Sequence, residues 1–127
     1  MTGTGTLLQV ALGGALGASL RWSLGLLLAR VDAPAFPVTI IVVNVLGSAA
    51  MGVFFAYSAQ RGLAHLHPFV VAGVLGGFTT FSAFSLEAFA LMERGAWGAA
   101  ALYVVLSVAG AIGGFALGTF VARAVLT

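Results

Sequence analysis

Long apolar runs separated by short polar interruptions make up nearly the whole chain. Residues 33–60 and 95–122 contain no charged side chain. Each run is long enough to cross a bilayer core of about 30 Å, which needs roughly 20 helical residues. Residues 7–29 are apolar apart from Arg21, and residues 68–92 are apolar apart from Glu87 and one polar stretch. The pattern predicts four transmembrane helices joined by short loops at 32–37, 61–68 and 93–95, with Pro34 and Pro37 marking the first break. It leaves no room for a soluble or cofactor-binding domain. We read residues 1–127 as one four-helix transmembrane domain, all-α in class.

The third segment departs from an ordinary membrane helix over residues 76–85, Gly76-Gly77-Phe78-Thr79-Thr80-Phe81-Ser82-Ala83-Phe84-Ser85. Two adjacent glycines weaken a helix, and two threonines with two serines bring hydroxyls to membrane depth. Backbone that leaves the helix there survives only where protein buries it or where it lines a pathway. The segment predicts a third helix broken near its middle, at a site for an ion or small solute.

Composition agrees with this. Of the 127 residues, 61% are hydrophobic and 6% charged, whereas a soluble domain carries about four times that charge. The first residues carry no positive charge and read as the start of the first helix, not as a signal peptide. Cysteine is absent, which excludes disulfides and thiolate metal sites. The two histidines, His65 and His67, sit in a loop without further ligands nearby. Five arginines against three acids form no nucleic-acid footprint. No nucleophile–histidine–acid set, metal cluster or phosphate loop is present, so the reading is not an enzyme.

Small residues recur at helix-packing spacing: Gly13/Gly17, Ser48/Gly52, Gly73/Gly77 and Gly110/Gly114/Gly118. Such pairs let backbones approach closely in lipid. Four helices of this size enclose little, so a pathway through them predicts a partner subunit. With the N-terminus on one side, Arg61 and Arg123 lie on that side and Arg30 and Arg94 on the other, with Arg21 nearer to it. The charge bias that sets orientation is then almost cancelled. Insertion in both directions, and an antiparallel pair, follow as expectations.

Several side chains could carry chemistry. Asn44 sits near the middle of the second helix, where it either bonds a neighbouring helix or offers an amide donor to an anion. Phe81 and Phe84 share one helix face and Ser82 and Ser85 an adjacent one. Phenylalanine edges are electropositive, so edges turned inward can face an anion without holding it tightly. Tyr103 and Ser107 lie one turn apart on the fourth helix and could form a short hydroxyl track. Arg21 is the only charge in the first helix and either reaches the interface or forms a cationic vestibule. Glu87 is the alternative partner or vestibule group.

These motifs resemble the bacterial fluoride channel family, also called Fluc or CrcB, over nearly the whole chain. Gly13-Gly14-Ala15-Leu16-Gly17-Ala18 with Arg21-Trp22 is similar to the family's first-helix motif. Phe36-Pro37 and Val43-Asn44-Val45-Leu46-Gly47-Ser48 are similar to its second, and the 76–85 stretch to its third, which is the most specific. The resemblance implies a multi-pass protein of the bacterial inner membrane that lets fluoride leave the cell passively. It implies an antiparallel dual-topology homodimer with two pores and a structural sodium ion (Na+) at its centre. The matching positions are Asn44, Phe81 and Phe84 for the pore, Tyr103 and Ser107 for the hydroxyl track, and Arg21 for the vestibule. The backbone carbonyls of Gly76 and Thr79 match the sodium ligands. The chain departs from the family at Ile40, where a threonine is usual, and at Ala111, where a further hydroxyl is expected. A proton-coupled small multidrug exporter is the alternative, but it needs a membrane-buried acid in the first helix. Here none precedes Asp32, and Glu87 is the only substitute.

Overall fold

The computed structural model describes residues 3–32 and 35–126; Pro34, one of the two prolines read as a break, lies outside them. Helices α1 (Gly3–Leu28) and α2 (Thr39–Arg61) form the first two spans. The third runs over Ala64–Glu93. It is built from a 3₁₀ turn (Ala64–Leu66), a π-helical stretch (Pro68–Leu75), the short α3 (Gly76–Phe78) and, after a break, α4 (Phe81–Glu93). Helix α5 (Trp97–Leu126) is the fourth span. All four are long and apolar enough to cross a membrane.

The break falls one turn later than the glycines suggested. Gly76 and Gly77 are helical, while Thr79 (φ −81°, ψ 157°) and Thr80 (φ −153°, ψ 117°) are extended. The threonines suit that geometry: β-branched side chains favour extended backbone, and a threonine hydroxyl can cap the helix that follows. Thr80 Oγ1 accepts from the Ala83 N–H at 3.1 Å and starts α4. The π-helical stretch opens at Pro68 and contains Gly73, but neither distinguishes it from an α-helix in sequence. Its last turn shows in Gly76 N–H, which reaches back five residues to Val71 O.

The glycines serve packing instead. A Cβ on Gly13 would meet Phe69 O and, at 2.9 Å, Gly73 Cα; one on Gly77 would meet Gly14 O at 2.6 Å. These stripes press α1 against residues 68–78. On the other side, a Cβ on Gly52 would strike Phe115 O, and one on Gly118 would strike Ala49 O, so α2 and α5 meet backbone to backbone. Where α4 meets α5, Phe84, Ala88, Leu91, Ala100 and Tyr103 form a buried cluster.

Asp32 fixes the start of α2 from outside it. Its Oδ1 accepts the N–H groups of Val38 at 2.7 Å and Thr39 at 2.8 Å, donors that a helix N-terminus leaves unpaired. Gly62 ends α2 in the left-handed region (φ 66°), with its N–H on Ser58 O. Outside this frame the surface is apolar: Leu7, Leu12, Trp22, Leu27, Phe89, Ile112, Phe120 and Val125 are all exposed. A water-soluble monomer rarely shows so large an apolar surface. Lipid or a partner chain must cover it.

Candidate functional site

The site is built around the broken strand of backbone at Thr79–Thr80. A helix break at membrane depth frees polar groups, and each must find a partner. Thr79 N–H bonds Leu75 O at 3.0 Å, and its hydroxyl turns back to the same carbonyl at 2.9 Å. Thr80 has no such neighbour on its own helix; α2 supplies one. Asn44 Nδ2 donates to Thr80 O at 3.0 Å, and Thr80 N–H donates to Asn44 Oδ1 at 2.8 Å. One amide thus replaces a full peptide partner. On α1, Arg21 Nε donates to Gly77 O at 3.2 Å. Gly47 makes room for this meeting, since a Cβ there would stand 3.0 Å from the Phe78 ring and closer still to the Thr79 methyl.

Beside the break lies a cavity of about 290 Å³ between α2, the break, α4 and α5. Its polar lining is Asn44, Ser48, Thr79, Thr80 and Ser107, and its apolar lining includes Phe81, Phe84, Val108, Ala111 and Ile112. No charged side chain lines it. Ser107 is 5% exposed, and its hydroxyl lies beside that of Tyr103 without a well-formed hydrogen bond to any described residue. A buried hydroxyl that is only loosely held gains from a better partner, and this one lines the cavity. Asn44 uses one amide hydrogen on Thr80 and keeps the second, because its nitrogen carries two donors. The N-terminus of α4, at Phe81, adds partial positive charge to the same side.

The aromatic groups form a ladder. Phe81 and Phe84 have ring centroids 5.0 Å apart, Phe84 stacks on Tyr103 at 5.6 Å, and Phe36 meets Tyr103 edge-on at 6.0 Å. Phe84 is 8% exposed and Phe81 76%. One ring therefore belongs to the core and the other stands on the outer face, where the cavity is open. Ser82 bonds Thr80 Oγ1 at 3.1 Å, and Ser85 donates to Phe81 O at 2.9 Å; both serines are exposed.

The remaining candidates divide. Tyr103 and Ser107 lie on one face of α5, but only Ser107 lines the cavity. The Tyr103 hydroxyl is committed to Glu87 Oε2. Glu87 is therefore not the partner of Arg21, which lines a separate groove with Trp22, Gly25, Thr39 and Ile40. The carbonyl of Gly76 loses its helical donor, because Thr80 N–H points to Asn44. His67 is held by Ser58 at 3.0 Å and packs on Phe54. Sequence reasoning missed Ser48 and Thr80. Ser48 follows Asn44 by four residues, so it shares that face of α2; that spacing was a readable signal. The role of Thr80 was not readable, because it depends on where the break falls.

Comparison with known proteins bears on what this arrangement serves. Residues 8–119 match the family model described as CrcB-like protein, Camphor Resistance (CrcB). A protein of Ruegeria sp. (strain TM1040) named fluoride-specific ion channel FluC is 58% identical over 123 residues, covering 96% of this chain and 98% of its own. The protein of the same name from Roseobacter denitrificans is 56% identical over 122 residues, covering 94% and 97%. That of Jannaschia sp. (strain CCS1) is 60% identical over 91 residues, covering 72% and 87%. With most of its length inside the family model and relatives this similar end to end, the chain belongs to the CrcB (FluC) family.

Proposed function

We propose that the protein is a fluoride-selective channel that lets fluoride cross the membrane passively. The observation that carries this reading is the cavity beside the break. It offers the amide of Asn44 and the buried hydroxyl of Ser107 next to the Phe81 and Phe84 rings, with no charge in its lining. Neutral donors and aromatic edges can replace part of an anion's hydration shell without trapping it, as conduction requires. The choice of fluoride over other anions is supported by the names of the relatives. An exporter of the proton-coupled kind would need a free membrane acid, and Glu87 is engaged by Tyr103.

The conducting unit is an antiparallel homodimer in the bacterial inner membrane, with two pores. The cavity opens at its outer edge beside the exposed Phe81 ring and Ile112, and a second copy would close it. Opposed insertion is supported by the near-balance of Arg61 and Arg123 against Arg30 and Arg94. The break also fits a structural sodium ion. Hard oxygen donors suit a hard cation, and the carbonyls of Gly76 and Thr79 stand where the helix no longer binds them. The Thr79 hydroxyl is turned away onto Leu75 O, which leaves ligation to the backbone. The ion would supply positive charge that joins the broken segments of the two copies.

Growth in fluoride tests the reading. A bacterial strain lacking its own fluoride defence should regain growth when it expresses this chain. It should not regain growth with Asn44→Asp, whose carboxylate would repel an anion at the cavity wall. Growth restored equally by both would contradict the assignment of this cavity.

A further inference from the structure

The vestibule reading gives Arg21 a role through its charge. The hydrogen bonding gives it another. In a continuous helix the carbonyl of Gly77 would accept the N–H four residues on, that of Phe81. The extended residues Thr79 and Thr80 carry Phe81 out of reach and begin a new helix there. Arg21 Nε fills the vacancy at 3.2 Å. The approach is prepared along α1. A Cβ on Gly77 would lie 2.6 Å from Gly14 O and 3.2 Å from Ala18 N, so the Gly77 backbone lies flat against the α1 backbone. Gly14, Ala18 and Arg21 follow one another at spacings of four and three, which is one helix face. Two small residues bring the peptide in, and the arginine meets its oxygen.

We propose that Arg21 is a positioning residue that latches the end of the first half of the third span. It is the counterpart on α1 of Asn44 on α2. The two latches act on opposite sides of the break: Arg21 holds Gly77 before the extended residues, and Asn44 holds Thr80 within them. Between them they occupy the carbonyls of Gly77 and Thr80, and so direct those of Gly76 and Thr79 toward any cation. A positive group at a helix C-terminus is also favoured by the helix dipole. Arginine suits the task because it can bond the carbonyl through Nε and still present its terminal nitrogens to the groove beside Trp22, Thr39 and Ile40. A lysine has one nitrogen for both jobs.

The link to ion flux rests on the fluoride-channel reading; the latch does not. The test uses the full-length purified protein in lipid, with Arg21→Gln and Arg21→Lys as variants. Hydrogen exchange is followed in the peptide covering residues 76–85. Thermal stability is read against sodium chloride, with choline chloride holding ionic strength. Loss of a hydrogen bond to a charged group should speed exchange in that peptide about tenfold in Arg21→Gln. It should raise the sodium concentration that half-protects the protein by a similar factor, with Arg21→Lys in between. If flux falls in the variants while exchange and sodium requirement match the parent, Arg21 acts by charge alone and the latch is wrong. If sodium protects neither parent nor variants, the sodium assignment fails and exchange alone decides the latch. If the parent carries no fluoride but exchange quickens as stated, the latch stands and the channel reading fails. Should Arg21→Gln not fold, Arg21→Lys decides: unchanged exchange there overturns the proposal.

Discussion

Single side chains in this protein hold backbone more than they hold each other. Asn44 is legible in sequence as a buried amide that needs a partner, and of the two readings open at that stage the structure shows the bond to a neighbouring helix. The amide bonds the broken segment through one oxygen and one hydrogen, and the residue also lines the cavity. Asn44→Ala should leave Thr80 N–H and C=O unpaired, at about 1–3 kcal/mol for each group. Thermal unfolding in detergent should show a clearly lower midpoint than for Ser48→Ala, which lines the same cavity with no hydrogen bond to the break. Phe84→Ile keeps apolar bulk and loses the electropositive ring edge, worth up to about tenfold in rate. Fluoride efflux from liposomes should fall by about that much while the protein stays folded, since Phe84 also packs on Tyr103 through a face that isoleucine can partly fill. Spacing and the family resemblance both group Phe81 with Phe84. Their different exposure was not legible, because it depends on which side of α4 meets α5.

The elements divide into those that sequence spacing reveals and those that it hides. Four spans and their short loops follow from apolar runs, and the small-residue stripes at 13/17, 73/77 and 110/114/118 do pack as stripes. Gly17→Ala tests this. Its Cβ would lie 2.8 Å from Phe78 N and nearer still to Val74 O, so overpacking of about 1–3 kcal/mol is expected. Gly98→Ala, whose Cβ would meet nothing within 4 Å, should be neutral or mildly stabilising. Equal melting temperatures for the two variants would show that α1 does not pack this closely. The break was legible as an event but not in register. A glycine pair weakens a helix, yet here close packing on α1 keeps it helical, and the extended threonines take the break. The cap of α2 by Asp32 spans six residues, too far for a local capping signal. Partial burial raises the Asp32 pKa, but hydrogen bonds from Thr39 and Val38 outweigh it, so the carboxyl sits below its ordinary value. A depressed folded pKa contributes stability that is present above the unfolded value, near 3.9, and lost as pH falls through the folded value. Thermal stability should therefore drop between pH 4 and pH 3 (approximate bounds set by that reference value), and Asp32→Asn should lower stability at neutral pH and flatten that drop.

At the scale of the whole molecule, the exposed apolar surface and the cavity open beside Phe81 make one chain an incomplete object. Nothing in a single sequence says what completes it, because an apolar face meets lipid and protein alike. The balance of arginines is the one sequence signal that bears on orientation, and it can be tipped. Replacing the exposed Ala64 and His65 with lysine should fix the loop after α2 on the cytoplasmic side. Such a variant, expressed alone, should lose fluoride protection, and co-expression with a chain biased the other way by lysines in the 93–95 loop should restore it. Full protection by either chain alone would argue against an antiparallel pair. The central claim, passive conduction of fluoride through a neutral pathway, has a direct test. Purified protein in liposomes loaded with equal potassium fluoride and potassium chloride is diluted into salt lacking both anions, with valinomycin to carry potassium and no pH gradient. Electrodes for the two halides read efflux at once. The account predicts fluoride release driven by its own gradient, with chloride held back. Equal release of both halides, or release of fluoride only when a proton gradient is imposed, would contradict it.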